Sequence, residues 1–242
     1  MIRNLLFFLA FLSLSSAGFW DYDEVGPTKW ADAHPDWKVC GHGKEQSPID
    51  IKTKEAVSAN FPFAMQYHKG DAKVINKGYT IQAKYKNAGG VDFDGQHYGF
   101  VELHFHLPAE NLINGKPHNL EMHLVHKNDK DELLVVGVFF KLGMKNLALQ
   151  RLLANIPSKK GGYKILKDVD IHDILPEKKH YYYFMGSLTT PPCTEGVRWV
   201  VLDQEIPISS KQLKIFKKHM NKNIRHVQPL HGRKVYQGNI ED

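Results

Sequence analysis

The chain has 242 residues, 42% of them hydrophobic, 11% aromatic and 24% charged. That balance excludes a disordered or low-complexity polymer and leaves enough apolar mass for one large core. The net charge of +6 comes from lysines dispersed among acids, as in Lys127-Asn128-Asp129-Lys130-Asp131-Glu132. Such dispersal reads as a solvated surface and lacks the focused basic stripe of a nucleic-acid binder.

The chain opens with the short basic run Met1-Ile2-Arg3-Asn4. Residues 5–14 are almost wholly apolar, and Ser15-Ser16-Ala17 supplies the small residues that a signal peptidase reads. Residues 1–17 are therefore expected to be a secretory signal cleaved after Ala17, the alternative being an uncleaved anchor. Residues 18–242 are expected to form one domain, and no later segment could cross a bilayer. Export places this domain in the periplasm or outside the cell. Cys40 and Cys193 then have a disulfide open to them, the alternative being two free thiols. A bridge closing so long a loop contributes at most about 5 kcal/mol in the chain-entropy account.

Residues 80–85, 98–107 and 120–125 alternate apolar and polar side chains, the pattern of half-buried strands. Residues 133–140 form a continuous apolar run of strand length, expected to be a buried central strand, and residues 197–202 are another strand. Turn signals separate them at Asn87-Ala88-Gly89-Gly90, Asp94-Gly95 and Asn114-Gly115. Asn146 can cap a helix running through Asn155 and stopped before Pro157. Ser209 and Gln212 form a capping box ahead of a helix whose apolar face is Leu213, Phe216 and Met220. Many strands with few helices predict an α+β, mostly β fold: a large, mainly antiparallel twisted central sheet with short peripheral helices.

His104-Phe105-His106 lies within an alternating strand. Both imidazoles therefore share one face, while Leu103, Phe105 and Leu107 share the other. In Glu121-Met122-His123-Leu124-Val125 the same alternation puts Glu121, His123 and Val125 together. If the two strands are neighbours, His104, His106 and His123 form a three-histidine set. Such a set holds zinc with one position left open, which marks a catalytic rather than a structural site. Glu102 shares a face with His104, and Glu121 with His123. Each carboxylate can accept a hydrogen bond from a ligand imidazole, fixing its tautomer and raising its basicity.

The run Val101-Glu102-Leu103-His104-Phe105-His106-Leu107-Pro108-Ala109-Glu110-Asn111, followed by Glu121-Met122-His123-Leu124-Val125-His126, resembles the metal-binding strands of α-class carbonic anhydrases. Gly186-Ser187-Leu188-Thr189-Thr190-Pro191-Pro192-Cys193 resembles the loop over their zinc. Gln46-Ser47-Pro48-Ile49-Asp50, Arg225-His226-Val227-Gln228-Pro229-Leu230 and the early Trp20, Tyr22, Gly26-Pro27 and Trp30 are similar to further stretches of that family. The resemblance implies one zinc ion per chain and reversible hydration of carbon dioxide to bicarbonate and a proton, by attack of zinc-bound hydroxide on the substrate. It implies that Thr189 orients the attacking hydroxide and that Glu110 holds the Thr189 hydroxyl proton. It also implies an apolar substrate pocket of Val125, Val135, Leu188, Val197 and Trp199, with Thr190 beside it. Cysteines at these two positions resemble the secreted or periplasmic bacterial branch, which implies a Cys40–Cys193 disulfide. Dimers are common in that branch, though nothing in the sequence maps an interface. The partners implied are small molecules alone, with no nucleic acid and no membrane insertion of the mature chain.

Three departures qualify the resemblance. Tyr79 stands where the family often has a histidine proton shuttle, and Lys77 replaces a neighbouring asparagine. A free tyrosine has a pKa of about 10, far from what a shuttle needs at neutral pH. Without a shuttle, a site group of pKa about 7 passes its proton to water at only ~10³ s⁻¹, so a slower, buffer-dependent enzyme is expected. Glu102 replaces the usual glutamine and should make His104 a more electron-rich ligand. His226 replaces the usual proline and has no assigned role. The competing readings are an inactive binding module of the same fold and an exported zinc carrier; esterase chemistry is expected only as a side activity.

Overall fold

A computed structural model describes residues 18–59, 61–177 and 180–240, so the expected signal segment lies outside the described residues. The strands in chain order are β1 (Asp50–Ile51), β2 (Val57–Ser58), β3 (Phe63–Tyr67), β4 (Gly70–Asn76), β5 (Ile81–Tyr85), β6 (Gly89–Phe93), β7 (Gln96–His106), β8 (Leu112–Ile113), β9 (Leu120–Lys127), β10 (Leu133–Leu142), β11 (Tyr163–Val169), β12 (His180–Ser187), β13 (Glu195–Ile208) and β14 (Tyr236–Asn239). The helices are α1 (Trp30–Ala33), α2 (Val39–His42), α3 (Leu147–Leu153) and α4 (Ser210–His219).

Twelve strands make one sheet in the order β11-β4-β5-β7-β9-β10-β13-β12-β14-β2, with the β3–β6 pair joined to β7 through β6. Neighbours are antiparallel except β10 with β13 and β14 with β2, so the expectation of a mainly antiparallel sheet holds. The parallel β10–β13 pair needs a long crossover, which carries α3, β11 and β12. Between β6 and β7 the turn is Asp94-Gly95, with φ of 49° and 75°, the left-handed conformation that a two-residue hairpin demands.

Alternation sorts the side chains onto two faces. Leu103 and Phe105 of β7, Leu120, Met122 and Leu124 of β9 and Leu134, Val136, Val138 and Phe140 of β10 enter the larger core, together with α3 and α4 residues such as Leu152 and Phe216. The opposite face carries a smaller cluster that includes Val135, Phe139, Val197 and Trp199. Residues 133–140 of β10 are apolar because this part of the strand is covered on both sides. The helix signals hold as well. Asn146 accepts a hydrogen bond from the Leu149 amide at the start of α3, and Ser209 with Gln212 forms the capping box of α4. Helix α3 ends at Leu153, before the expected Asn155.

One polar residue points into the larger core. His126 is fully buried; its Nε2 lies 2.8 Å from the Tyr67 hydroxyl and its Nδ1 lies 3.2 Å from the Leu134 carbonyl. A neutral ring with Nδ1 donating and Nε2 accepting satisfies both contacts. Burial pushes the imidazole pKa down to about 3. The unfolded chain, with a histidine pKa of about 6.5, binds the proton first as pH falls. The neutral ring's contribution is thus complete above about pH 6.5 and is lost progressively down to about pH 3, with a slope of at most about 1.4 kcal/mol per pH unit. We expect the melting temperature to fall more steeply between pH 7 and pH 4.5 in the native protein than in His126→Gln. Parallel pH dependences would remove His126 as the cause.

Candidate metal centre

Strands β7 and β9 are adjacent and antiparallel. Their register sets His104 directly opposite His123 and His106 opposite Glu121. Ligand atoms of His104, His106 and His123 all lie within 4.8 Å of one another, and among the described residues no fourth histidine, cysteine or carboxylate joins them.

Two of the three rings have one nitrogen already hydrogen-bonded, and the third has a carboxylate close by. His104 Nδ1 is 2.9 Å from Glu102 Oε1, and His106 Nδ1 donates to the Asn223 carbonyl at 2.9 Å. His123 Nε2 lies 3.0 Å from Glu121 Oε1, in ion-pair range but off hydrogen-bond alignment. The other nitrogens are left for a metal. His106 Nε2 is fully buried without any partner, an orphan that a metal would satisfy. Burial, followed by the neighbouring rings, pushes the His106 and His123 pKa values well below the ordinary histidine range. Both are therefore neutral, the form that ligates. At His104 burial works in the same direction, but the Glu102 charge and hydrogen bond outweigh it and the pKa rises. Three neutral or neutralisable imidazoles with orienting partners and no fourth ligand fit a zinc ion with one open position.

Glu121 is fully buried and anchors the neighbourhood. Its Oε2 accepts the Glu110 and Asn111 amides at 2.8 and 2.9 Å, and its Oε1 accepts Asn111 Nδ2 at 2.8 Å. Gly137 faces His123 across the β9–β10 pair, where a Cβ would come within 3.1 Å of Glu121 Oε1. Asn223 supports the same region from the far side. It accepts the Leu107 amide at 2.7 Å and donates to the Phe105 carbonyl at 2.8 Å. Thr80 also bonds both backbone groups of Phe105.

Glu110 is buried, and burial pushes its carboxyl pKa well up, against the pull of the Arg225 amide and the Thr189 hydroxyl. Its Oε1 accepts the Arg225 N–H at 2.9 Å, while Oε2 takes no well-formed hydrogen bond and lies 3.3 Å from His106 Nδ1. The Arg225 guanidinium is buried and donates to the Ser47 and Cys40 carbonyls at 2.7 and 2.6 Å. The loop that carries Leu188, Thr189 and Thr190 is pinned at both ends. Ser187 and Ser47 exchange hydrogen bonds at 2.9 and 3.1 Å, and Cys40 is disulfide-bonded to Cys193 with Cα atoms 5.1 Å apart.

A cavity of about 210 Å³ opens above the histidines. Val125, Leu188 and Thr190 line it, with Tyr22, Gln82 and Glu102 beside them. Val135, Val197 and Trp199 pack behind Val125 and Leu188, and the Trp199 ring stands edge-on to His123 at 4.8 Å. Tyr79 sits at the mouth against Trp20 and Tyr22, with ring centroids 5.3 and 6.2 Å away. Burial and then the Glu102 charge raise its pKa. Lys77 is exposed on the β4–β5 turn and does not line the cavity. Sequence reasoning missed Gln82, Thr80, Asn223 and the anchoring role of Asn111. Asn223 lies 117 positions from the histidine it orients, and no local pattern announces such a contact.

Removing the Glu121 carboxylate strands three buried donors at once. We expect Glu121→Ala to destabilise the metal-free protein by about 3 kcal/mol or more in urea unfolding. Glu121→Gln, which keeps one acceptor, should recover part of the loss. An unchanged unfolding midpoint for Glu121→Ala would contradict the anchoring role.

The profile of the eukaryotic-type carbonic anhydrase family matches residues 25–239. A carbonic anhydrase of Klebsiella pneumoniae is 41% identical over 224 residues, spanning 90% of this chain and 91% of that protein. Among solved structures, the α-carbonic anhydrase of Thermovibrio ammonificans in complex with the inhibitor sulfanilamide superimposes with a TM-score of 0.87 at 40% identity, covering 90% of this chain and 99% of the other. The Photobacterium profundum α-carbonic anhydrase gives 0.84 at 39% identity, with 90% and 100% covered. With a family match over most of its length, this chain belongs to the eukaryotic-type, or α-class, carbonic anhydrases.

Proposed function

We propose that this chain catalyses the reversible hydration of carbon dioxide to bicarbonate and a proton, with one zinc ion held by His104, His106 and His123. The observation that carries the reading is the convergence of three imidazoles, with the buried His106 Nε2 and His123 Nε2 both lacking a hydrogen-bond partner, beneath a partly apolar cavity. When bound, zinc on three neutral imidazoles supplies a Lewis acid and, with it, a hydroxide nucleophile at neutral pH.

The protein's own groups supply position and polarity. Val125 and Leu188, backed by Val135, Val197 and Trp199, offer carbon dioxide an apolar wall and keep water off its carbon. Thr189 is buried in the pinned loop between the cavity-lining Leu188 and Thr190, with its hydroxyl toward Glu110, and its assigned role is to orient the nucleophile by accepting a hydrogen bond. Its own proton then needs another acceptor, and Glu110 Oε2 is the open one. Glu110 would stay ionised, and so remain an acceptor, beside a cation held by the three histidines, since a nearby positive charge favours the carboxylate form. Glu102 holds the His104 tautomer through a charged acceptor, and Glu121 Oε1, 3.0 Å from His123 Nε2, is near enough to favour the matching tautomer there.

Proton removal is the weak step. Among the described residues no histidine besides the three ligands lines the cavity, and Tyr79 is shifted further from neutrality by burial. The proton must therefore leave on dissolved buffer. The disulfide supports export to an oxidising compartment, the periplasm or the medium.

Stopped-flow hydration of carbon dioxide tests the reading. We expect turnover to rise with imidazole concentration and to be blocked by sulfanilamide, and Tyr79→His to raise the rate at low buffer about tenfold or more. Zinc-loaded protein without hydration would overturn the enzyme assignment, in favour of a binding or carrier role. Fast turnover indifferent to buffer would overturn the account of Tyr79.

A further inference from the structure

Two stretches of the sequence are rich in lysine, and the fold brings them side by side. Residues 69–86 and 159–169, which make β4, β5, β11 and adjoining loops, carry nine lysines against two aspartates, an excess of seven. The whole sequence is only +6, so the remainder of the chain is close to neutral. All nine lysines are exposed. Among the described residues one of them, Lys167, is ion-paired, with Asp71.

The strand register fixes where they point. Ile165, Lys73, Lys84 and Glu102 lie opposite one another across β11, β4, β5 and β7, as do Tyr163, Ile75, Gln82 and His104. Lys73, Lys84, Tyr163 and Ile165 are therefore on the face of the sheet that carries the metal centre. Lys86, two residues beyond Lys84, shares it. Tyr163 is 59% exposed and Ile165 50%, with the Lys73 ammonium 4.1 Å over the Tyr163 ring. A shallow hollow of about 670 Å³ is lined by Lys73, Lys84, Lys86 and Ile165, with the Asp71–Lys167 pair beside them.

We propose that this face docks on an anionic lipid surface, with lysines on the headgroup phosphates and Ile165 and Tyr163 at the interface. Charge complementarity calls for a polyanion. The two apolar side chains select the lipid surface, because a nucleic-acid backbone gains from the lysines but nothing from Ile165. Protection of the sheet edge against other strands would account for lysines on β11 alone, whereas Lys73, Lys84 and Lys86 project from the sheet's face. No helix among the described residues is long and apolar enough to cross a membrane. Docking turns the metal-bearing face toward the lipid. The proposal does not rest on the catalytic reading.

The test is co-sedimentation of the mature chain with vesicles of phosphatidylglycerol and phosphatidylcholine, against vesicles of phosphatidylcholine alone. Binding is expected with the anionic vesicles only and should be lost in about 0.5 M salt, where the Debye length shrinks to a few Å. The triple variant Lys73→Glu, Lys84→Glu, Lys86→Glu should lose at least about tenfold in partitioning. Ile165→Ser should lose severalfold while keeping the salt dependence. The milder pair Lys84→Gln and Lys86→Gln, which adds no negative charge, carries the same test if the triple variant does not fold. Absence of binding, equal binding to neutral vesicles, undiminished binding by the folded lysine variants, or tighter binding to a single-stranded oligonucleotide than to anionic vesicles would each overturn the proposal.

Discussion

The register between β7 and β9 is the constraint on which the rest of the site depends. His104 and His106 share a face by alternation alone, but His123 joins them only because it sits directly opposite His104. A slip of one residue would turn His123 and Glu121 into the larger core and bring Met122 and Leu124 out beneath the cavity. The sheet guards against that slip by burying both faces. Leu120, Met122, Leu124 and His126 are each embedded on the far side, and every one of them would have to leave. Hydrophobic burial on one face thus gathers the three histidines on the other.

A second layer converts that placement into orientation. Glu121, Glu110 and Arg225 are all buried, and each is tied to backbone groups of a distant segment. Isolated charges at these depths would be costly; linked through backbone amides and carbonyls they define a fixed arrangement. Arg225 is the hinge of the set. Burial lowers its pKa to about 10 against the pull of Glu110 and Glu195, so it stays cationic at neutral pH. Through its amide it reaches Glu110, and through its guanidinium the Cys40 carbonyl. The disulfide then continues from Cys40 to the loop that bears Thr189. The first and last thirds of the chain meet at the active cavity.

How much of this was legible in the sequence depends on the range of the interaction. Alternation in residues 98–107 and 120–125 displayed the shared faces of the ligands, because period 2 is local. The Ser209–Gln212 cap and the Asp94-Gly95 turn were readable for the same reason. The adjacency of the two metal strands was not; it rested on resemblance to a known family. Strand β11, with a largely exposed pattern, gave little signal. The partnership of Asn223 with His106 and the hydrogen bonds of Asn111 to Glu121 are set by tertiary packing, which no local pattern encodes. The lysines mislead most. Mixed with acids, as at 127–132, they read as a bland solvated surface, and only strand order brings the two lysine-rich stretches of β4–β5 and β11 together.

The most direct test of the central claim is X-ray absorption at the zinc edge on the reconstituted protein, with and without sulfanilamide. Three converging imidazoles and an open position predict one zinc per chain with three nitrogen ligands at about 2.0–2.1 Å and a single light ligand that sulfanilamide replaces. Four protein ligands, or a coordination shell that sulfanilamide leaves unchanged, would contradict the account.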